Sequence, residues 1–401
     1  MKLLLFANTD WYLYNFRLPL ARRLRDLGHQ VILVSPPGDF SSRLVAEGFD
    51  WIEFQLSRKG TNLLAEIFTV LRLYQMYRAT KPDLVHHFTI KCVLYGGIVA
   101  RVLGIPQVAA ITGTGHVFTS PSLTNSFLRP LVSVAYKISL QRSDVIFQNP
   151  DDQKAFINLG LVKQSQSHLI RGSGVDVLKF RQAPPSSLTE RPTTVVMICR
   201  LLREKGVAEF VEAARIVRRR MPKVAFKIAG EVDPGNPSSI STDQVSEWAA
   251  EGNAQFLGHV DNVASLLEAC DVAALPTYYG EGVPRGLIEA AAAGLPIVTT
   301  DMPGCREICR HGENGYLIAP RDPEALAEAI FRLVGNRPLA QSFGARSREI
   351  AVSDFSEPIV LERTIDVYSK ALADLNFSLG AGSELSTRLG DVRYKVNHPN
   401  G

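Results

Sequence analysis

The 401-residue chain is expected to form two doubly wound α/β domains, each built on a parallel sheet. Three observations predict this. Apolar strand-length segments alternate with helical stretches from Leu3 to Gln148, the alternation restarts at Thr194, and a polar, proline-rich stretch from Arg181 to Pro192 separates the two series. Such alternation implies right-handed βαβ units, and a chain of this length can give each series its own core.

In the first series the expected strands are residues 3–7, 31–35, 51–54, 84–88, 107–112 and 145–148, with amphipathic helical stretches at 16–27, 63–80 and 93–103. The opening residues begin like a signal peptide. Asn8, Thr9 and Asp10 end that apolar run too early, so a first strand fits better. The second series places strands at 194–199, 225–228, 255–257, 272–275 and 297–299, and helices at 204–220, 323–335, 338–350 and 357–375. The expected division is a domain over 1–175, a hinge near 172–190, a domain over 190–352 and a closing helix over 353–376. Residues 377–401 are polar and aperiodic and are expected to be a disordered tail. No tandem repeat appears.

Hydrophobic content of 46% and charged content of 21% suit a soluble globular protein. The five cysteines (Cys92, Cys199, Cys270, Cys305, Cys309) form no CxxC pair and fit reduced thiols in the cytoplasm. No uncharged run reaches the length of a membrane span; Arg101 interrupts the best one. Residues 1–150 hold 16 Lys and Arg against 9 Asp and Glu, while the remainder holds 28 against 31. A basic N-terminal half fits an anionic partner. No nucleic-acid motif accompanies it, so a membrane surface is favoured over nucleic acid, with chance distribution the plain alternative. The expected location is cytoplasmic, peripheral on the inner face of the membrane.

The most informative segment runs from Pro276 to Pro296. A short apolar strand ends at Pro276; Glu281, Gly282 and Pro284 follow; then an alanine-rich helix carries Glu289 and stops at Gly294 and Pro296. Glu281 would lie in a loop at a strand's carboxyl end and Glu289 about one turn inside the helix. Backbone N–H groups and a helix dipole would meet there, as at an active site in an open α/β sheet. The plain alternative is two acids on a solvated helix face. This segment resembles the Glu-x7-Glu signature of the family 4 glycosyltransferases, retaining enzymes with a nucleotide-sugar donor. The resemblance covers roughly residues 1–375 and is strongest over 194–335. It implies the GT-B fold, two facing Rossmann-like domains with an interdomain cleft, the donor in the C-terminal domain and the acceptor in the N-terminal one. It also implies a last helix that crosses back to the first domain.

A leaving nucleoside diphosphate needs its growing charge taken up by a metal or by fixed cations. The chain holds no Asp-x-Asp, so no metal and no cofactor are expected. The stretch Arg200-Leu-Leu-Arg-Glu-Lys205-Gly206 resembles the family's diphosphate-binding segment, which assigns Arg200 and Lys205 to the donor diphosphate; Cys199 stands where the family has glycine. The resemblance further implies Glu289 on the ribose, Glu281 on the transferred sugar, and Val260 beside the base. The turn Gly282, Val283, Pro284 and Arg285 would face the diphosphate, with solvent the alternative for Arg285. His116, among the glycines of residues 112–118, resembles the position that approaches the donor sugar, with a plain loop histidine the alternative.

On the acceptor side, the turn from Asn8 to Arg17 lacks the family's glycines and is similar to that of enzymes extending lipid-linked oligosaccharides. Asn15 and Arg17 could bind phosphate or sugar; an N-capping Asn followed by a solvated Arg is the alternative. His86 and His87 alternate faces on a strand and lack a third ligand, so a metal site is disfavoured and a phosphate on Lys91 preferred. Arg58-Lys59 and the helix bearing Phe68, Arg72, Tyr74, Tyr77, Arg78 and Lys81 suit docking on an anionic bilayer, against the alternative of a core-facing stripe.

The expected function is retaining, metal-independent transfer of a hexose or N-acetylhexosamine from a UDP-sugar to a lipid-linked saccharide, in bacterial-type surface polysaccharide synthesis. The alternatives are a UDP-sugar epimerase of the same fold and a non-catalytic sugar-nucleotide-binding protein.

Overall fold

The computed structural model describes residues 1–56, 63–113, 123–180 and 191–379. Among these, one sheet holds seven parallel strands in the order β3-β2-β1-β4-β5-β6-β7. They are β1 Lys2–Phe6, β2 Gln30–Ser35, β3 Asp50–Glu53, β4 Leu84–Phe88, β5 Gln107–Ile111, β6 Asp144–Phe147 and β7 Ser167–Leu169. The other holds six in the order β10-β9-β8-β11-β12-β13. These are β8 Thr194–Ile198, β9 Ala225–Ala229, β10 Gln255–Phe256, β11 Val272–Leu275, β12 Ile297–Thr300 and β13 Gly315–Ile318. In each sheet the order reverses beside the first strand of the series, which opens a crevice at the carboxyl ends of β1 and β4, and of β8 and β11.

The strand sequences explain the layering. Leu3-Leu-Leu-Phe6 and Val195-Val-Met197 are unbroken apolar runs, and all these side chains are buried, as helices on both faces of a parallel sheet require. Every expected strand is present. Two were not legible: β7 has three residues and no apolar run, and β13 follows the polar turn Gly312-Glu-Asn314. The residues expected to finish strands, Thr112, Gln148 and Cys199, stand one position beyond β5, β6 and β8 and so belong to the crevice edge.

The closing helix Glu357–Leu379 returns to the first sheet. Val360, Val367, Tyr368 and Ala371 share the apolar cluster of Leu3 and Leu5. Glu357 N donates to Val175 O at 3.0 Å. The helix continues to Leu379, which corrects the expected start of the tail at 377; the rest of that tail, the linker residues 181–190, and Arg58 and Lys59 lie outside the described residues.

Helix Leu63–Thr80 buries Leu73 and Tyr77 completely, so Tyr77 belongs to the core and not to a docking face. Leu64, Ile67, Phe68, Leu71, Arg72 and Arg78 are exposed. Among the described residues no helix is long and apolar enough to cross a membrane. All five cysteines are free thiols, and burial pushes those of Cys92, Cys199, Cys270 and Cys305 up to about 12, so they stay neutral.

Candidate active site

The crevice of the second sheet is built by two chain segments tied together through their backbones. After β8 the chain makes a short turn, Arg203–Lys205, and then Gly206 with φ +80. A Cβ at Gly206 would lie 2.2 Å from Pro276 O, so glycine alone lets this turn sit against the end of β11. The loop after β11 answers: Tyr278 N and Thr277 Oγ1 both donate to Glu204 O, at 2.9 and 3.0 Å. From β12, Thr299 Oγ1 donates to Leu275 O at 2.7 Å and Thr300 Oγ1 to Thr277 O.

This framing brings Lys205 Nζ to 2.6 and 2.5 Å from the two oxygens of Glu281. Lys205 is buried and Glu281 half-buried, so each ion supplies the charge the other lost with its water. Two of the residues singled out from the sequence thus form one site.

Helix Arg285–Ala292 starts beside them with Pro284 as its cap residue, which offers no side-chain hydrogen bond. Its first N–H groups are therefore left for other acceptors, and the helix start carries partial positive charge. Arg285 Nε donates to Glu289 Oε1 at 2.7 Å, its Nη1 donates to Ser173 Oγ at 3.2 Å, and its guanidinium carbon lies 4.9 Å from the Phe16 ring centre. Arg285 is thus engaged across the interdomain cleft, neither in solvent nor unpaired.

Several expectations are corrected. The N–H groups of Gly282 and Val283, expected to face a diphosphate, are taken by the first domain: Gly282 N donates to Thr112 O at 2.7 Å and Val283 N to Gln148 Oε1 at 3.2 Å. Arg200 is largely exposed and pairs with Asp233 Oδ2 at 2.9 Å. Lys91, offered as a phosphate ligand, pairs with Glu66 at 2.5 Å. Asn15 caps no helix; its Nδ2 donates to Trp11 O at 3.0 Å, and Thr9 Oγ1 is the cap, accepting from Tyr12 N at 3.1 Å. Val260 is half-buried beyond β10, the edge strand. His116 lies outside the described residues.

In the first domain Arg17 is buried, not solvated. Its Nη2 donates to the Tyr12 hydroxyl at 2.6 Å, its guanidinium carbon stands 4.3 Å from the Phe88 ring centre, and its Nε makes no hydrogen bond. Among the described residues no carboxylate pairs with it. His86 and His87 are core residues: His86 Nδ1 lies 2.6 Å from the Tyr368 hydroxyl and His87 Nε2 2.9 Å from that of Tyr77. Burial holds both well below the usual histidine range, so both are neutral. Among the described residues no cluster of three His, Cys, Asp or Glu could hold a metal ion. A cavity of about 430 Å³ opens beside Asn8, Thr9, Trp11, Pro37 and Leu56.

The sequence reading missed Gln148 and Ser173. Gln148 carried one faint signal, a polar Gln-Asn pair directly after an apolar strand run.

The arrangement can bind an anionic, polyhydroxylated ligand: an ammonium, a helix start and two carboxylates converge at a crevice between domains. Comparison with known proteins agrees in fold and family. Residues 2–149 match the family model described as "Glycosyl transferase 4-like", and residues 192–336 match "Glycosyl transferases group 1". The N,N'-diacetylbacillosaminyl-diphospho-undecaprenol alpha-1,3-N-acetylgalactosaminyltransferase of Campylobacter jejuni is 25% identical over 388 residues, covering 94% of this chain and 100% of that protein. A glycogen synthase of Mycobacterium tuberculosis is 28% identical over 88% of this chain and 89% of its own length. The crystal structure of Anabaena Alr3699/HepE in complex with UDP and glucose superposes with a TM-score of 0.76 at 22% identity, covering 92% of this chain and 99% of that one. The two parallel-sheet domains are those of the GT-B fold, and the chain is a glycosyltransferase that belongs to family 4.

Proposed function

We propose that the protein moves a hexose or N-acetylhexosamine from a UDP-sugar to a lipid-linked saccharide in surface polysaccharide assembly, with retention of configuration and without a metal ion. The Lys205–Glu281 pair carries this reading, because it couples a cation for the leaving diphosphate to a carboxylate for the sugar at the crevice of the second sheet. UDP is favoured because the Anabaena protein was crystallised with UDP. A lipid-linked acceptor is favoured because the Campylobacter relative, named for a diphospho-undecaprenol substrate, aligns along nearly the whole chain. The first domain adds Arg17, a buried cation suited to a phosphate of the acceptor. Retention rests on the family resemblance alone.

In this reading the diphosphate lies between Lys205 and the start of helix Arg285–Ala292, while Arg200 swings in from Asp233. Glu281 and His116 hold the sugar. Glu289 turns from Arg285 to the ribose hydroxyls, since a carboxylate accepts from two vicinal hydroxyls. Closure of the domains excludes water, and the acceptor hydroxyl attacks on the leaving-group side. Metal independence follows from fixed cations doing the neutralising.

A thermal-shift panel of nucleotide sugars identifies the donor. Transfer and donor hydrolysis are then measured for Lys205→Ala and Glu281→Ala, with and without EDTA. Near wild-type rates in both variants sink the assignment, and abolition by EDTA sinks metal independence. Product analysis with donor alone separates transfer from epimerisation, which needs no acceptor.

A further inference from the structure

We propose that Gln148, a first-domain side chain, is a positioning residue for the catalytic loop of the second domain. Gln148 stands one residue past β6, where Asn149 caps helix Pro150–Asn158, so its backbone is fixed by a strand on one side and a helix on the other. It is nine-tenths buried. Its Oε1 accepts the Val283 N–H at 3.2 Å. A backbone N–H needs an acceptor, and an amide NH2 is none, so the chemistry fixes which end of the carboxamide faces the loop.

Gly282 registers the same contact. A Cβ there would lie 1.9 Å from Gln148 Oε1 and 2.8 Å from its Cδ. The carboxamide therefore occupies the space that any other residue at 282 would fill. Thr112 O holds the Gly282 N–H from the same domain at 2.7 Å. From behind, Gly304 presses on the loop so closely that a Cβ would come 1.6 Å from Gly282 O. The two peptides that follow Glu281 are thus fixed by groups of the opposite domain.

A consequence follows for the reaction. Lys205, Glu289 and the start of helix Arg285–Ala292 all belong to the second domain, so nucleotide binding does not require Gln148. The placing of Glu281 does, because its loop is completed only when the first domain docks. A small displacement of such a group costs rate far more than affinity. Gln148 thereby makes turnover depend on domain closure. This rests on the proposed donor reading for its kinetic readout.

The test uses the full chain with Gln148→Met, which keeps length and removes the acceptor, and Gln148→Ala. Both are expected to lower kcat on the order of tenfold, with the UDP-induced thermal shift unchanged. In the donor-free protein, amide hydrogen exchange across residues 280–286 is expected to quicken in both. Gly282→Ala is expected to cost less rate in the Gln148→Ala background than in wild type, since its two nearest clashes are then gone. Wild-type kcat in Gln148→Met, unchanged loop exchange, a parallel loss of UDP binding, or strict additivity with Gly282→Ala each overturns the proposal. Absence of any nucleotide-induced shift in the wild-type protein defeats the donor reading instead, and the exchange measurement still decides the role of Gln148.

Discussion

Lys205 and Glu281, 76 positions apart in the chain, meet with the ammonium shared between both carboxylate oxygens at 2.6 and 2.5 Å. The side chains are 11% and 20% exposed, so removing one partner strands the other in a mostly dry site. Breaking a buried pair costs roughly 3–5 kcal/mol, and the remaining exposure reduces that to about 1–3 kcal/mol here. Lys205→Ala should therefore lower the urea midpoint as well as abolish transfer. A Lys205→Met, Glu281→Leu double variant should recover most of the stability and none of the activity. If the double variant is as unstable as the single one, the pair is not what couples the two loops.

Glu289 Oε1 accepts from Arg285 Nε at 2.7 Å. The proposed move of that carboxylate to the ribose makes a specific forecast. A hydrogen bond to a charged group contributes about 1.5–3 kcal/mol, so Glu289→Gln should weaken UDP binding by roughly ten- to a hundredfold. Calorimetry with UDP and its 2′,3′-dideoxy analogue provides the check. Wild type should prefer UDP, and the variant should bind both alike. Equal discrimination in the two proteins removes Glu289 from the ribose.

How much of this was legible in the sequence depended on the kind of interaction. The strands follow from apolar runs and turns that are local, and the segments 200–206 and 276–296 showed their spacing directly, though not that Lys205 and Glu281 would pair. What stayed hidden is decided by contacts between segments distant in the chain. Gln148 reads as the polar end of a strand until Val283 arrives beside it from 135 positions away. Arg17 reads as either a phosphate or sugar ligand or a solvated residue of a first helix turn, and nothing local shows that tertiary packing buries it against Phe88. Tyr77 could belong to a docking face or to a core-facing stripe, because helix Leu63–Thr80 has apolar residues on both faces and periodicity cannot say which face meets the sheet.

His87 sets a limit on acid stability. The ring is wholly buried, and burial lowers its pKa to about 3 from an ordinary value of 6.5. Gly96 leaves no room for it to turn away; a Cβ there would lie 2.3 Å from the ring. The folded state therefore stays unprotonated at His87 while the unfolded chain takes up a proton below about pH 6.5. Its contribution to stability is present above that pH and is lost as pH falls toward 3, at up to about 1.4 kcal/mol per unit. His86 acts in the same direction. Urea unfolding at pH 7, 6 and 5 should show a slope that His87→Gln flattens by nearly one proton. An unchanged slope means that His87 already titrates in the folded protein.

Leu64, Ile67, Phe68 and Leu71 line one outward face of helix Leu63–Thr80 at 68, 48, 65 and 51% exposure, and Arg72 and Arg78 follow on the next turns. We propose that this apolar face, with the basic surplus of this half of the chain, meets an anionic bilayer. Burying a large apolar side chain contributes about 1.5–3 kcal/mol, so a Leu64→Ser, Phe68→Ser double variant should bind vesicles at least tenfold more weakly. Its melting temperature should stay close to wild type, because exposed positions support little of the core. Co-sedimentation with phosphatidylglycerol-containing and pure phosphatidylcholine vesicles, at low and high salt, reads both contributions. Salt should weaken the first and leave the second nearly unchanged. Equal binding by variant and wild type defeats the membrane assignment, as does a concentration-dependent dimer that the double variant dissolves, which would give the same face to a second copy of the chain.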